Sequence, residues 1–364
     1  ILDPVIGMFG FSLSLSIPFV LFALFPNWLN SLPKSGGWLN SIKVVLGLLE
    51  IAFAFYYLSK ADLIDGKAFL TREMFIAIWI MIFTSLIGML LASPLNINFL
   101  LLIIANVGIA LMAFSAGAIN QLVDQKVDRI MERTKKRPLP SGELKEINVI
   151  VYSIVIGFIG FVTLFFYVNQ LTAYLTFASL VGYAFIYTMY LKRATPQNIV
   201  IGGAAGATPP LLGWTAITGS VDYMAIIMFL IIFMWTPPHF WALALHRKEE
   251  YAKADIPMLP VTHGDTYTKI NIVLYTLMLV VITIMPYLTG LFGWLYLAGS
   301  LVLGAGFLYY SALMWLDKDS GMRTFKYSII YLMLLFLVLV TSSHAEKWTK
   351  FDETKSVVVY YDKQ

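Results

Sequence analysis

Long apolar runs dominate the sequence, and mostly short polar stretches separate them. Each run is about 20 residues long, which is the length that spans the hydrocarbon core of a bilayer. The pattern predicts eleven spanning helices, at roughly 6–26, 39–60, 71–93, 97–118, 147–168, 170–190, 198–217, 222–245, 270–290, 293–314 and 325–343. We therefore expect an all-α, polytopic membrane protein that ends in a polar tail at 344–364.

Composition agrees with this pattern and narrows the chemistry. The 364 residues are 59% hydrophobic and only 13% charged, which is far from the composition of a soluble protein. Cysteine is absent from the sequence. This excludes disulfides, thiol redox chemistry and thiolate metal sites.

The placement of lysine and arginine predicts the topology. Of the 25 such residues, 19 lie on one side of the membrane, in or beside the loops at 61–70, 119–146, 191–197, 246–269 and 315–324. The positive-inside rule makes this side cytoplasmic. The two long charged loops, 119–146 and 246–269, then face the same compartment and could build one site.

The first long loop carries three oxygen-bearing side chains at spacings of four. Asn120, Asp124 and Asp128 would share one face of a helix, and Mg²⁺ favours a few carboxylates together with the oxygens of a substrate phosphate. This pattern predicts a metal–diphosphate site at the membrane surface. An ordinary solvated loop start remains the alternative. A basic cluster follows directly: Arg129, Arg133, Lys135, Lys136 and Arg137.

Proline and glycine stiffen the loop after these bases, in the segment Arg137–Gly142 (RPLPSG). Arg133 and Arg137 are placed for bidentate contact with phosphate oxygens. Lys135 and Lys136 could instead have no substrate contact and only fix the orientation of the chain in the membrane.

The second long loop and two diproline segments supply further candidates. Glu249, Glu250 and Asp255 could bind a second metal, although each alone could simply be solvated.

Pro237-Pro238 should kink or break its span, as should Pro209-Pro210. His239, beside the first pair, is an ionisable group at membrane depth and hence a functional candidate. It could bind haem or orient a large aromatic substrate. Alternatively, it could be a packed histidine that hydrogen-bonds to a backbone carbonyl freed by the prolines.

Two tyrosines on one helical face complete the candidates. Tyr183 and Tyr187 could stabilise a carbocation through their ring faces, or could be ordinary core residues. Lys192 and Arg193 follow them at the end of the span, where topology alone would also favour positive charge.

Three segments together resemble the protohaem IX farnesyltransferases, a haem-using branch of the UbiA superfamily of intramembrane prenyltransferases. They are NQLVDQKVDRIMERTKKRPLPSG, NIVIGGAAGATPPLLGW and PPHFWALAL with the later IPMLPV, within a likeness that covers about 84–343. The resemblance implies nine helices around a central cavity. It also implies Mg²⁺ and farnesyl diphosphate at a cytoplasmic mouth, in a bacterial inner membrane. Asp255 departs from the family, which usually has glycine before IPMLP, and Glu249-Glu250 stand where aspartate is common.

The implied reaction transfers a farnesyl group to the vinyl group of haem b. Haem A synthase and terminal oxidase assembly proteins are candidate partners, and no nucleic acid is expected. The alternatives are a UbiA-type enzyme with another aromatic acceptor, such as a quinone precursor, and a non-catalytic membrane conduit or transporter. We expect catalytic roles for Asp124, Asp128, Arg133, Lys192 and His239, substrate binding by Asn120, Lys136, Arg137, Tyr183, Tyr187, Arg193 and Arg247, and Mg²⁺ coordination by Asn120, Asp124, Asp128, Glu249, Glu250 and Asp255.

The first 83 residues have a different resemblance. They are similar to part of the membrane domain of a thiol–disulfide interchange protein, a family that works with paired membrane cysteines. This chain has no cysteine, so the segment cannot perform that redox chemistry alone. We expect a change of segment near residue 83, inside a hybrid span at about 71–93, with about two extra helices before it.

Overall fold

The computed structural model describes residues 72–92, 98–131, 134–135, 137–317 and 320–361. The two extra helices predicted at 6–26 and 39–60 lie outside these residues. Arg133 and Lys136 also lie outside them, so their predicted roles stay predictions.

The described chain is helical, which confirms the all-α prediction. The long helices are α1 to α4 and a following π-helix, π1, and then α8 and α11 to α13; shorter helices lie between them. The bounds are α1 Arg72–Ala92, α2 Phe99–Asp128, α3 Glu146–Tyr167, α4 Gln170–Val181, π1 Gly182–Leu191, α5 Lys192–Ala194, α6 Asn198–Gly206, α7 Pro209–Thr218, α8 Tyr223–His246, α9 Lys248–Lys253, α10 Leu259–Thr262, α11 Gly264–Leu288, α12 Trp294–Leu313 and α13 Ser320–Tyr361.

Seven helical segments in the described part of the chain are long and apolar enough to cross a membrane. They are α2, α3, the combined run Gln170–Ala194, α8, α11, α12 and the part of α13 up to Ser343. Two further predicted spans are a shorter apolar stretch in α1, Ile80–Ala92, and the broken pair α6 and α7. The chain is therefore a multi-pass membrane protein, while the family's exact count of nine helices stays a prediction.

Helix α2 extends beyond the span predicted for it. The hydropathy pattern ends near residue 118, whereas the helix continues to Asp128. The added turns carry polar side chains that find partners on neighbouring elements, so they need no membrane to stay helical. Asn120, Asp124 and Asp128 consequently lie on a helix and not in a loop.

The two diproline segments behave differently. The predicted break at Pro209-Pro210 is confirmed, because α6 ends at Gly206 and α7 begins at Pro209. The alternative of a break at Pro237-Pro238 is wrong, because both prolines lie inside the continuous helix α8. Their segment is buried among neighbouring helices, which can hold a proline-containing turn in place.

Helix α8 forms the centre of the main apolar core. Its buried side chains pack with residues of α1, α11, α12 and α13 in one cluster. Helices α1 and α7 approach so closely that a Cβ on Gly213 would fall 1.9 Å from the Ser85 carbonyl oxygen. Glycine at position 213 therefore permits this contact, in the way that small residues do between membrane helices.

A second buried cluster joins the two long charged loops. Met131 of the first loop packs in the same cluster as Ile256, Met258 and Leu259 of the second, together with Trp241 of α8. The two loops thus lie at the same end of the bundle, as the topology predicts.

Candidate active site

Asp124 is a buried carboxylate held from two directions. It lies near the end of α2 and is only 2% exposed. Its Oδ2 accepts a hydrogen bond from Nζ of Lys192, which follows π1, and another from Asn120 Nδ2 at 3.1 Å. The structure therefore places Lys192 in direct contact with the predicted acid motif, while its catalytic role stays a prediction.

Asp128 is paired with the loop that follows it. The carboxylate is buried, and its Oδ2 lies 2.8 Å from Arg137 Nη1. Thr134 Oγ1 donates to the Asp128 carbonyl oxygen at 3.1 Å, and Gln125 Nε2 donates to the Leu139 carbonyl oxygen at 3.3 Å. These bonds fold the proline-containing loop back against α2, so Arg137 returns to the motif it follows in sequence.

A π-helix lies opposite this face of α2. Its turns are wider than those of an α-helix, and such segments often occur at functional sites. Thr188 Oγ1 donates to the Tyr183 carbonyl oxygen at 2.8 Å and accepts from Asn120 Nδ2 at 3.1 Å. Sequence reasoning missed both the π-helix and Thr188, because a single threonine in an apolar span gives no distinctive signal.

The two candidate tyrosines stand beside these carboxylates. The Tyr183 and Tyr187 ring centroids are 5.5 Å apart, which confirms that they share a face. The Tyr183 hydroxyl lies within electrostatic range of Asp124 and Arg137, and that of Tyr187 within range of Asp124 and Tyr251 of the second loop. Aromatic rings, paired carboxylates and part of the second loop are thus brought together.

The three candidate metal ligands of the second loop differ in exposure. Glu249 and Asp255 are exposed, whereas Glu250 is partly buried. Among the described residues, Glu250 Oε2 is a buried oxygen with no hydrogen-bond partner. Asp255 has a φ of +52°, in the left-handed region that favours glycine. This backbone conformation explains why the family that the sequence resembles usually has glycine at this position.

Two predicted substrate-binding arginines lie at the edge of this region. Arg193 is exposed, and its Nη2 makes a long contact, 3.5 Å, with the Val123 carbonyl oxygen. Arg247 directly follows α8, where its backbone N–H donates to the Leu243 carbonyl oxygen at 3.0 Å.

The oxygen atoms at this site suit a hard divalent cation that also binds a substrate. Asp124 Oδ1 is buried and, like Glu250 Oε2, has no hydrogen-bond partner among the described residues. Within the same part of the chain, no three histidine or acidic side chains converge closely enough to hold a metal alone. This arrangement fits Mg²⁺, which commonly takes one or two carboxylates and completes its shell with phosphate oxygens and water.

His239 occupies a separate polar position in the core. Its ring stacks on Trp235 at 4.1 Å and on Phe325 at 4.5 Å, and Nδ1 lies 2.6 Å from Ser328 Oγ. The Ser328 hydroxyl itself donates to the Phe325 carbonyl oxygen, so it accepts the proton of His239 Nδ1. This hydrogen bond places a proton on Nδ1, so in the neutral ring Nε2 is unprotonated, which is the form that binds metals.

Comparison with known proteins agrees with this architecture. Residues 81–340 match the UbiA prenyltransferase family. A protoheme IX farnesyltransferase of Saccharophagus degradans is 59% identical over 72% of this chain and 87% of its own length. One of Marinobacter nauticus is 56% identical over 74% and 90%.

Solved structures show the same fold at much lower identity. One concerns digeranylgeranylglyceryl phosphate synthase in membranes, with a TM-score of 0.63, 20% identity and coverage of 73% of this chain and 93% of that one. Another is a UbiA homologue of Archaeoglobus fulgidus bound to GPP and Mg²⁺, with a TM-score of 0.50, 14% identity and coverage of 72% and 96%.

The family match covers most of the chain, and the relatives are matched over most of their length. This sets aside the alternative of a non-catalytic conduit or transporter. The chain belongs to the UbiA prenyltransferase family and is a multi-pass membrane prenyltransferase.

Proposed function

We propose that this chain transfers the farnesyl group of farnesyl diphosphate to a vinyl group of haem b, giving haem O. The strongest support for this acceptor is the identity of 59% to a protoheme IX farnesyltransferase. Support for the donor comes from the site itself. Asp124 and Asp128 are buried carboxylates, and Lys192 and Arg137 bring one cation to each from other elements.

The two cations suit the developing charge of a diphosphate leaving group. Arg137 offers a planar guanidinium that can contact two phosphate oxygens, and Lys192 offers a compact ammonium. Both are held in place by carboxylates before substrate arrives. Electrostatic stabilisation by preorganised groups of this kind lowers the barrier to departure of the diphosphate.

Asn120, Asp124 and Asp128 are the residues that would hold one Mg²⁺, and Glu250 would help to hold a second. Mg²⁺ would supply Lewis-acid neutralisation of the diphosphate oxygens. Its use by this chain is a proposal, supported by the orphaned carboxylate oxygens of Asp124 and Glu250 and by the Mg²⁺ bound to the Archaeoglobus homologue. Glu249 and Asp255, which are exposed, are weaker candidates for ligands.

Loss of diphosphate leaves an allylic cation, for which the faces of Tyr183 and Tyr187 offer negative potential. The vinyl group of haem b attacks the cation and forms the new carbon–carbon bond. Water then adds to the remaining positive carbon and releases a proton, which completes the hydroxyethylfarnesyl substituent. Exclusion of water until the first bond forms prevents simple hydrolysis of the donor.

The chemistry should take place on the cytoplasmic side of a bacterial inner membrane. The support is the excess of lysine and arginine on the side that carries both long loops. Haem A synthase and oxidase assembly proteins stay predicted partners.

Product identification tests the acceptor. The purified full chain would be given farnesyl diphosphate and Mg²⁺ with either haem b or 4-hydroxybenzoate, a small quinone precursor. We expect mass spectrometry to find haem b carrying a farnesyl group and a hydroxyl, with the benzoate unchanged. A prenylated benzoate beside unchanged haem b would overturn the assignment in favour of another aromatic acceptor.

A further inference from the structure

Asn120 differs from the two aspartates of the motif because its amide group has two distinct ends. Either its nitrogen or its oxygen could face a cation, and only the oxygen could bind it. Here its orientation is fixed by two acceptors. Nδ2 donates to Asp124 Oδ2 at 3.1 Å and to Thr188 Oγ1 at 3.1 Å. An ionised carboxylate can only accept, so the nitrogen must face Asp124. Both amide hydrogens are then used, and Oδ1 is left for a cation.

The second acceptor is itself fixed by the π-helix. In the α-helices, buried threonines donate three or four residues back, as Thr283 does to the Val280 carbonyl oxygen at 2.8 Å and Thr176 to the Thr172 carbonyl oxygen at 2.6 Å. Thr188 instead donates five residues back, to the Tyr183 carbonyl oxygen at 2.8 Å. The side chain of Thr188 is wholly buried. Its hydroxyl hydrogen is therefore occupied, and its oxygen faces Asn120 as an acceptor.

We propose that Thr188 is a positioning residue, whose hydroxyl holds the Asn120 amide with Oδ1 directed towards the metal–diphosphate site. The chain of donors runs from Asn120 to Thr188 and ends at the Tyr183 carbonyl oxygen. This places the π-helix in the machinery of the site, because it couples the tyrosine face to the metal motif. The inference rests on the proposed role of Asn120 in binding Mg²⁺ and diphosphate.

Replacement of the hydroxyl by a methyl group tests this directly. Thr188→Val should raise the Mg²⁺ concentration for half-maximal farnesyl transfer about tenfold, as loss of a group behind a metal ligand commonly does. The value of kcat at saturating Mg²⁺ should fall less, and Thr188→Ser, which keeps the hydroxyl, should restore wild-type behaviour. Thr188→Ala provides a second hydroxyl-free variant if the valine variant does not fold.

Thr176→Val is the matched control. It removes a buried hydroxyl from the same span, but that hydroxyl bonds only within its own helix in the described structure, so its Mg²⁺ dependence should match the wild type. An equal response of Thr188→Val and Thr176→Val would overturn the positioning role.

Asn120→Ala separates this inference from the proposed function. If Asn120→Ala leaves the Mg²⁺ dependence unchanged, the proposed role of Asn120 is wrong. If Asn120→Ala shifts it and Thr188→Val does not, only the positioning role is wrong. Adding Thr188→Val to Asn120→Ala should cause no further shift, because Thr188 acts through Asn120; an additive shift would contradict the proposal.

Discussion

Lys192 and Asp124 form an ion pair that joins the end of the π-helix to the end of α2, across 68 positions in sequence. The carboxylate is almost completely buried, and the lysine side chain is 18% exposed. The pair therefore holds the cation proposed to bind the substrate beside the carboxylate proposed to bind the metal, before either ligand arrives. A second pair, Arg137 with Asp128, repeats this arrangement one helical turn further on.

Removal of the Lys192 charge should reduce both activity and stability. Lys192→Met leaves the buried Asp124 charge unpaired, which should cost about 3 kcal/mol of unfolding free energy. Turnover should fall about 100-fold with the loss of one stabilising donor. Added Mg²⁺ should raise the melting temperature of this variant more than that of the wild type, because the ion can neutralise Asp124.

Lys248→Met is the control for this comparison. Lys248 pairs with Asp265 at 2.7 Å, but both side chains are exposed, so its loss should change stability by less than about 1 kcal/mol. Equal effects of the two substitutions on activity and melting temperature would contradict the role given to the Lys192–Asp124 pair.

Gly202 should be required for the position of the Tyr187 ring. A Cβ at residue 202 would fall 2.1 Å from Tyr187 Cδ2, so Gly202→Ala must displace the ring. We expect a loss of about 1–3 kcal/mol in stability and slower farnesyl transfer, measured by thermal unfolding and by steady-state kinetics.

Gly206→Ala offers a matched substitution in the same helix. A Cβ there meets nothing within 4 Å among the described residues, so the variant should keep full activity. Gly202→Ala with activity equal to that of Gly206→Ala would exclude a functional position for the Tyr187 ring.

Asp255 should be replaceable by glycine. Its φ of +52° lies in the left-handed region, so Asp255→Gly should remove strain and change stability by about 1 kcal/mol or less. Asp255→Val should be clearly destabilising, because β-branched residues tolerate this region poorly. A large increase in the half-saturating Mg²⁺ concentration for Asp255→Gly would instead identify the side chain as a metal ligand.

His239 should bind the acceptor through Nε2. Ser328→Ala removes the acceptor that fixes the tautomer, and His239→Phe removes Nε2 while preserving a ring between Trp235 and Phe325. Each should weaken haem b binding about tenfold, as losses at or behind a metal ligand do. Titration followed by the haem absorption band measures this. Unchanged binding in His239→Phe would assign the residue to packing alone.

The sequence predicts the helical fold and the shared face of the proposed diphosphate motif because both depend on local pattern. Apolar length defines the spans, and spacing of four places Asn120, Asp124 and Asp128 on one face. Pairings between distant residues leave no such pattern. Neither the bond from Asn120 to Thr188 nor the approach of Tyr187 to Gly202 can be inferred from spacing, since each depends on how two helices pack.

The end of α2 and the diproline of α8 show the same limit. Hydropathy ends the span before Asn120, but the side-chain partners of Asp124 and Asp128 allow the helix to continue. Proline chemistry alone favours a break at Pro237, whereas burial within the bundle keeps that helix continuous. Contacts with neighbouring elements thus determine both the length of α2 and the continuity of α8.

The most direct test of the account compares the product of the wild-type chain with that of the Asp124→Ala, Asp128→Ala double variant. Both purified proteins would receive farnesyl diphosphate, haem b and Mg²⁺, and the haem fraction would be analysed by mass spectrometry. The account predicts haem O from the wild type and unchanged haem b from a folded double variant. Haem O formed equally by both proteins would contradict it.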